Sequence, residues 1–137
     1  MNRPNLQPYQ VIPNANASPA NSGSMASSIT SAVSIVGQLT EMSYAVSWSG
    51  TSPVGTISVQ ASNDYSLFNN GAVNNPGTWN TLPLELSGAN VTSIPITGNT
   101  GNGAIDIASL GLYAIRLVYT ASSGTGTLIA TINGKVA

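Results

Sequence analysis

The sequence predicts an all-β protein, an antiparallel β-sandwich of about eight short strands. Apolar and polar residues alternate in several short runs, and clusters of Gly, Asn, Ser and Pro separate those runs. No stretch of the chain shows the 3.6-residue periodicity of a helix. We expect a jelly roll, with an immunoglobulin-like sandwich as the alternative topology.

Residues 1–28 are predicted to form an extended N-terminal arm, and residues 29–137 the sandwich domain. The arm contains four prolines, which fix φ and remove backbone donors, so neither a helix nor a central strand is expected there. A loose tail and an extended arm that orders on a neighbouring molecule are both compatible with this composition. The extended arm is favoured because the segment contains apolar side chains that a pure spacer would not need. We predict that these side chains contact a partner: Leu6, Tyr9, Val11 and Ile12.

The first strands of the domain are predicted from two alternating runs. Tyr44, Val46 and Trp48 define a buried face of one run, which makes a core position the better prediction for Trp48. Residues 57–61 repeat the pattern, and the turn-forming residues 49–53 between the runs predict a short connection.

An Asn-rich loop is predicted at residues 63–76, and Tyr65 and Phe68 within it are further candidate partner contacts. Additional strands are predicted at residues 78–84, 91–96 and 104–107. The run at residues 112–120 is apolar on both sides, which is typical of a central strand. We expect it to form an antiparallel hairpin with residues 127–132 through a turn at residues 121–126.

Charged residues are unusually rare in this chain. Its three Lys or Arg and four Asp or Glu residues amount to 5% of the sequence, against about 25% in an ordinary soluble protein. Without His or Cys there is no imidazole base for a serine triad, no thiolate nucleophile and no zinc-thiolate site, and Lys135 lies in an Asn-Gly-Lys stretch with no nucleophile motif. Three basic residues are too few to hold nucleic acid. We therefore expect no enzyme activity and no cofactor.

Three weaker chemical possibilities remain at this point. The four carboxylates could serve a glycosidase, but no spacing pairs them. Asn63, Asp64 and Asp106 offer oxygen ligands for calcium, although such side chains more often bond their own backbone in turns. Trp79 and Tyr65 could stack on a sugar. We expect no metal ion, and no membrane partner, because no apolar run reaches the length of a membrane helix.

Three blocks, residues 46–65, 77–84 and 111–136, resemble small virion proteins of tailed bacteriophages. The resemblance lies in the pattern of strands and turns and carries no catalytic signature. It implies a capsid decoration (cement) protein, made in the host cytoplasm, that binds the outside of the assembled coat-protein shell and stabilises it by bridging neighbouring subunits. The implied partners are the major capsid (coat) protein and further copies of the chain, in a homodimer or homotrimer. A tail or fibre module that binds host surface carbohydrate is the alternative, and a small hydrolase is the third possibility.

Overall fold

The computed structural model describes residues 5–16, 20–86, 88–107 and 111–135. Within these residues it contains only β-strands and turns, and every strand pairing is antiparallel, which confirms the predicted all-β class. The strands are β1 (Asn5–Ile12), β2 (Ile29–Thr30), β3 (Ser34–Ile35), β4 (Glu41–Ser62), β5 (Ser66–Leu67), β6 (Val73–Asn75), β7 (Asn80–Thr81), β8 (Leu84–Leu86), β9 (Ala89–Val91), β10 (Ile94–Ile96), β11 (Thr100–Ile107) and β12 (Ala114–Lys135).

The main sheet is built on two strands of 22 residues each, β4 and β12. They pair along their whole length, from Glu41 opposite Lys135 to Ser62 opposite Ala114. The far edge of β12 carries β1, β2 and β3. The far edge of β4 carries β11 along its first half and β10 and β7 along its second half. The main sheet thus has eight strands, as predicted, but two of them are far longer than the short strands expected.

The buried side of each long strand changes at its middle. In β4, residues 42, 44 and 46 are buried in the first half, but residues 53, 55, 57, 59 and 61 in the second. In β12 the buried positions are 115, 117 and 119 and then 128, 130, 132 and 134. Since side chains alternate between faces, each strand must change face between its halves. The inward side chains of both halves belong to one hydrophobic core, as a sandwich requires.

The turn-forming residues at the middle of each long strand produce this change of face, and they do not reverse the direction of the chain. The pairing of β4 with β12 has register shifts on both sides of Ser123, and the nearby Ser52 and Gly124 have positive φ values of 47° and 81°. The chain therefore bends at residues 49–53 and 121–126 and continues in the same strand. The predicted hairpin between residues 112–120 and 127–132 is wrong, because both runs belong to β12. The central position predicted for residues 112–120 is correct from Ala114 onwards, since β12 has neighbours on both edges.

The first 28 residues contribute to the same core as the rest of the chain. Val11, Ile12 and Met25 are all 0% exposed and belong to the main hydrophobic cluster. Asn21 helps to hold this segment in place, because its Nδ2 donates to the carbonyl oxygens of Val11 and Thr30, at 3.1 and 3.3 Å. Of the predicted arm, residues 5–12 are extended and lie along β12 of the same chain, whereas residues 15–16 and 25–26 form turns.

Candidate contact surface

The predicted N-terminal contact residues occupy different environments. Val11 and Ile12 face the core, so the prediction that they contact a partner is revised: both side chains are already covered within this chain. Tyr9 is 49% exposed, and its hydroxyl accepts a hydrogen bond from Asn14 Nδ2 at 3.0 Å. The backbone of Leu6 lies opposite Gly134 in the sheet, and its side chain lies outside the described residues.

A small hairpin lies outside the main sheet and presents apolar side chains to solvent. It is formed by β5 and β6, which pair only with each other among the described strands. Its turn is held by hydrogen bonds from Phe68 N to Ala72 O (2.8 Å), Gly71 N to Phe68 O (2.9 Å) and Ala72 N to Asn70 Oδ1 (3.0 Å). Leu67, Phe68 and Val73 are 42%, 55% and 37% exposed. We call residues 66–75 the apolar hairpin.

Asp64 fixes the base of the apolar hairpin. Its Oδ1 accepts hydrogen bonds from the backbone N of Thr78 and from Ser62 Oγ, both at 2.7 Å, and so joins the two ends of the loop. These donors, the Thr78 backbone first, lower the pKa of Asp64 below its usual value. Gly77, at φ 84°, lies so close that an added Cβ would be 2.6 Å from Ser62 Oγ. The loop therefore leaves the sheet with a defined geometry.

Two aromatic rings and an arginine pack beside this base. The rings of Tyr65 and Trp79 are tilted by 56°, with centroids 5.8 Å apart. The guanidinium carbon of Arg116 lies 4.2 Å from the centre of the Trp79 ring, and Trp79 Nε1 donates to Pro76 O at 2.8 Å. Both aromatic residues are only partly exposed. Since Arg116 covers one face of the indole, Trp79 does not offer both faces to a sugar.

Two cavities that share Leu82 in their linings collect polar side chains. The larger, of about 380 Å³, is lined by Ala61, Asn63, Asp64, Thr78, Asn80, Leu82 and Leu112. A second, of about 260 Å³, brings Glu85 and Asp106 to one site, a proximity that their sequence spacing did not reveal. In the part of the chain that the structure describes, no group of three or more His, Cys, Asp or Glu residues is placed to hold a metal ion.

No protein-family model matches the chain, and no curated protein matches it either. Among solved structures, the chain is similar to the crystal structure of SPBc2 prophage-derived protein YomS, with a TM-score of 0.50. The match covers 98% of this chain and 96% of that protein at 15% sequence identity. At this identity the similarity shows a shared fold. No helix among the described residues is long and apolar enough to cross a membrane.

Two exposed apolar side chains at the same end of the sheet were missed by the sequence analysis. Tyr113 and Ile35 are 40% and 41% exposed. The backbone N of Tyr113 donates to Asn63 Oδ1 at 3.0 Å, which places it next to the start of the loop that carries the apolar hairpin. Strict alternation grouped Tyr113 with the buried Ile115 and Leu117. The alternation fails there because Tyr113 precedes the first residue of β12.

Proposed function

We propose that this chain is a structural protein of a bacteriophage particle, and specifically a decoration protein that binds the outside of the coat-protein shell. The resemblance of its strand-and-turn blocks to phage virion proteins supports this, as does the fold shared with a prophage-derived protein. The observation that carries the proposal is the apolar hairpin. An ordered hairpin that extends from a charge-poor sandwich with its apolar side chains in solvent is suited to adhesion.

The proposed contact is apolar and therefore depends little on ionic strength. Covering Phe68 and Leu67 against a neighbouring protein removes apolar surface from water, which is worth about 25 cal/mol per Å². Salt screens interactions between charges, and the residues of the hairpin carry none. The hydrogen bonds that Asp64 accepts and those within the turn keep the hairpin in one conformation before it binds. This order reduces the entropic cost of binding.

A modest contact of this kind is sufficient on a shell. A coat-protein shell repeats the same site by symmetry, so many copies of a weak binder each stabilise the assembled lattice relative to its free subunits. Bridging adds to this effect when one molecule contacts two neighbouring subunits, since the second contact is then intramolecular. Coat protein is accordingly the partner that we propose.

Co-sedimentation with coat-protein shells of the phage that encodes the chain tests the proposal. Val73→Ser should weaken binding, while Val54→Ser should leave it unchanged, because both valines are 37% exposed but Val54 lies in β4 at the bend. Phe68→Ser should weaken binding most, since Phe68 is the most exposed of the hairpin side chains. Equal binding of all three variants and the native chain would reject the hairpin as the contact. Failure of the native chain to bind shells would reject the function.

A carbohydrate-binding tail or fibre module is the second candidate, and one observation favours it. The cavity of about 380 Å³ is lined by the polar residues Asn63, Asp64 and Asn80 together with apolar residues such as Ala61 and Leu82. A glycan array separates the two functions, because this candidate requires retention that is lost in Asn80→Ala. Electron microscopy of intact particles provides the independent test, since a decoration protein lies on the head and a fibre module on the tail.

A further inference from the structure

The β11 strand forms an open edge of the main sheet. Its eight residues pair with β4 on one side without any register shift. On its other side, none of the described residues pairs with it. Thr100, Asn102, Ala104 and Asp106 are exposed.

The hydrogen-bond pattern shows which backbone groups of β11 are free. Gly50 N donates to Asn99 O at 2.7 Å, and this pair continues the register in which Thr100 lies opposite Ser49. Bonded and non-bonded pairs alternate along an antiparallel ladder. Odd-numbered residues of β11 therefore bond to β4, and the even-numbered residues direct their N–H and C=O groups outwards: Thr100, Asn102, Ala104 and Asp106.

The other edges of the sheet carry features that block further pairing, and β11 does not. The β1 strand contains Pro8 and two register shifts, and β10 has three residues with Pro95 at its centre. The β2, β3 and β7 strands have two residues each. Proline, bulges, short length and charge are the usual protections of an edge strand. Of these, β11 has only the charge of Asp106.

We propose that β11 is a dimerisation edge, at which two copies of this chain pair antiparallel across a two-fold axis at Gly103. In this register Asn102 faces Ala104 of the second copy, and Thr100 faces Asp106. Because even-numbered residues then lie opposite even-numbered residues, every outward N–H and C=O group meets a partner. This proposal does not depend on shell binding, and of the two expected assemblies, a homodimer or a homotrimer, it favours the homodimer.

Side chains and charge also favour a second copy as the occupant. The centre of the strand is Gly101, Asn102, Gly103 and Ala104, so no large side chain obstructs close approach. The two Asp106 residues lie six residues apart in the paired ladder, about 20 Å at the usual strand rise, beyond the screening length of about 8 Å at physiological salt. Each carboxylate instead lies opposite the hydroxyl-bearing Thr100 of the second copy.

Amide hydrogen exchange of the full chain, measured by NMR at two protein concentrations, tests the pairing. At high concentration the amides of Asn102, Ala104 and Asp106 should be protected, and on dilution they should exchange roughly tenfold faster or more. The amides of Gly103 and Ile105 should stay protected at both concentrations, because they bond to β4.

Sedimentation equilibrium of two variants gives a second measurement. Ala104→Pro removes an outward N–H that the sheet does not use, and it should make the protein monomeric. Ala104→Ser keeps that N–H and should remain dimeric. Circular dichroism checks that both variants are folded. If Ala104→Pro does not fold, the exchange experiment on the native chain still tests the pairing.

Three results would overturn the proposal. The first is a native chain that is monomeric at about 1 mM. The second is a dimer whose even-numbered β11 amides exchange freely. The third is a chain that is monomeric alone and gains protection at these amides only on coat-protein shells, which would assign the edge to a different protein.

Discussion

Arg116 and Trp79 join an irregular loop segment to the outer face of the sheet. The guanidinium carbon of Arg116 lies 4.2 Å from the Trp79 ring centre, while its Nε donates to Gln60 Oε1 at 2.8 Å. Gln60 lies directly opposite Arg116 on the neighbouring strand, so the guanidinium is oriented by the sheet itself. Burial of the guanidinium lowers the pKa of Arg116 from its ordinary value. The indole thus rests on a fixed cation, and the end of the loop is held where the apolar hairpin returns to the sheet.

Arg116→Met should lower the free energy of unfolding by about 1 kcal/mol, because it removes the cation–π contact and a hydrogen bond but keeps an apolar stem. Urea unfolding measures this difference. Lys135→Met is the control, since it removes only an ion pair of 3.5 Å between two exposed side chains. We expect the control to change stability by less than about 0.5 kcal/mol. Equal effects of the two variants would show that the contact with Trp79 adds no stability.

Two glycines of β11 should differ sharply in their tolerance of a methyl group. An added Cβ at Gly101 would lie 2.2 Å from Cζ2 of Trp48, whereas at Gly103 its nearest neighbour is Val46 Cγ2 at 4.0 Å. Gly101→Ala should therefore displace the Trp48 ring and lower stability by about 1–3 kcal/mol. Gly103→Ala should be neutral or slightly stabilising. Thermal unfolding followed by tryptophan fluorescence measures both effects. A Gly101→Ala variant with the melting temperature and fluorescence of the native chain would contradict the packing of Trp48 on this strand.

The buried tyrosines provide a test of hydrogen bonding in the core. Tyr44 and Tyr119 are both 0% exposed, but only the Tyr119 hydroxyl has a partner among the described residues, donating to Val54 O at 3.3 Å. Burial raises the pKa of Tyr44 far above its ordinary value. Tyr44→Phe should stabilise the protein by about 1 kcal/mol, because it removes an unsatisfied hydroxyl, and Tyr119→Phe should destabilise it by about 0.5–1 kcal/mol. Chemical denaturation that shows the opposite order would indicate that Tyr44 has a partner.

The class of the fold could be predicted from alternation, but its topology could not. Tyr44, Val46 and Ile57 are buried as the pattern predicted. Residues 49–53 have the composition of a turn, and only tertiary pairing decides between a reversal and a bend within a strand. Here β12 continues alongside β4 through that point, so the bend is favoured. Sequence alone does not contain this information, because the pairing partner lies about 70 residues away.

The candidate surface was predictable only in part. Phe68 was identified by its place in an Asn-rich loop, and the structure leaves it exposed. Val11 and Ile12 were assigned to a partner because a Pro-rich spacer would not need apolar side chains. Proline excludes a central strand but allows an edge strand, and an edge strand can still direct its side chains into the core. Local composition therefore described the backbone of this segment correctly but not the direction of its side chains.

Asp64 should make the stability of the protein dependent on pH in acid. Its pKa is lowered in the folded protein, so the stabilisation is fully present above the unfolded value of about 3.9 and is lost as the pH falls through the folded value. Asp64→Asn should lower the melting temperature at pH 7, and the difference from the native chain should shrink towards pH 2. Glu85→Gln is the control, because Glu85 is exposed and receives no hydrogen bond from the described residues. A constant difference across this range would contradict the role of the Asp64 carboxylate.

In the N-terminal strand β1, we expect Ile12 to contribute strongly to stability and Tyr9 to contribute little. Ile12 is 0% exposed and lies opposite Ala130, so Ile12→Ala should leave a cavity and cost about 2–4 kcal/mol. Tyr9 is 49% exposed, and Tyr9→Ala should change stability by less than about 1 kcal/mol. Denaturant unfolding compares the two. If both changes were neutral, the strand would not be packed on the core, and residues 5–12 would again be available to a neighbouring molecule. If only Ile12→Ala is destabilising, any loss of shell binding in Tyr9→Ala can be attributed to the exposed ring, because the fold that presents it is intact.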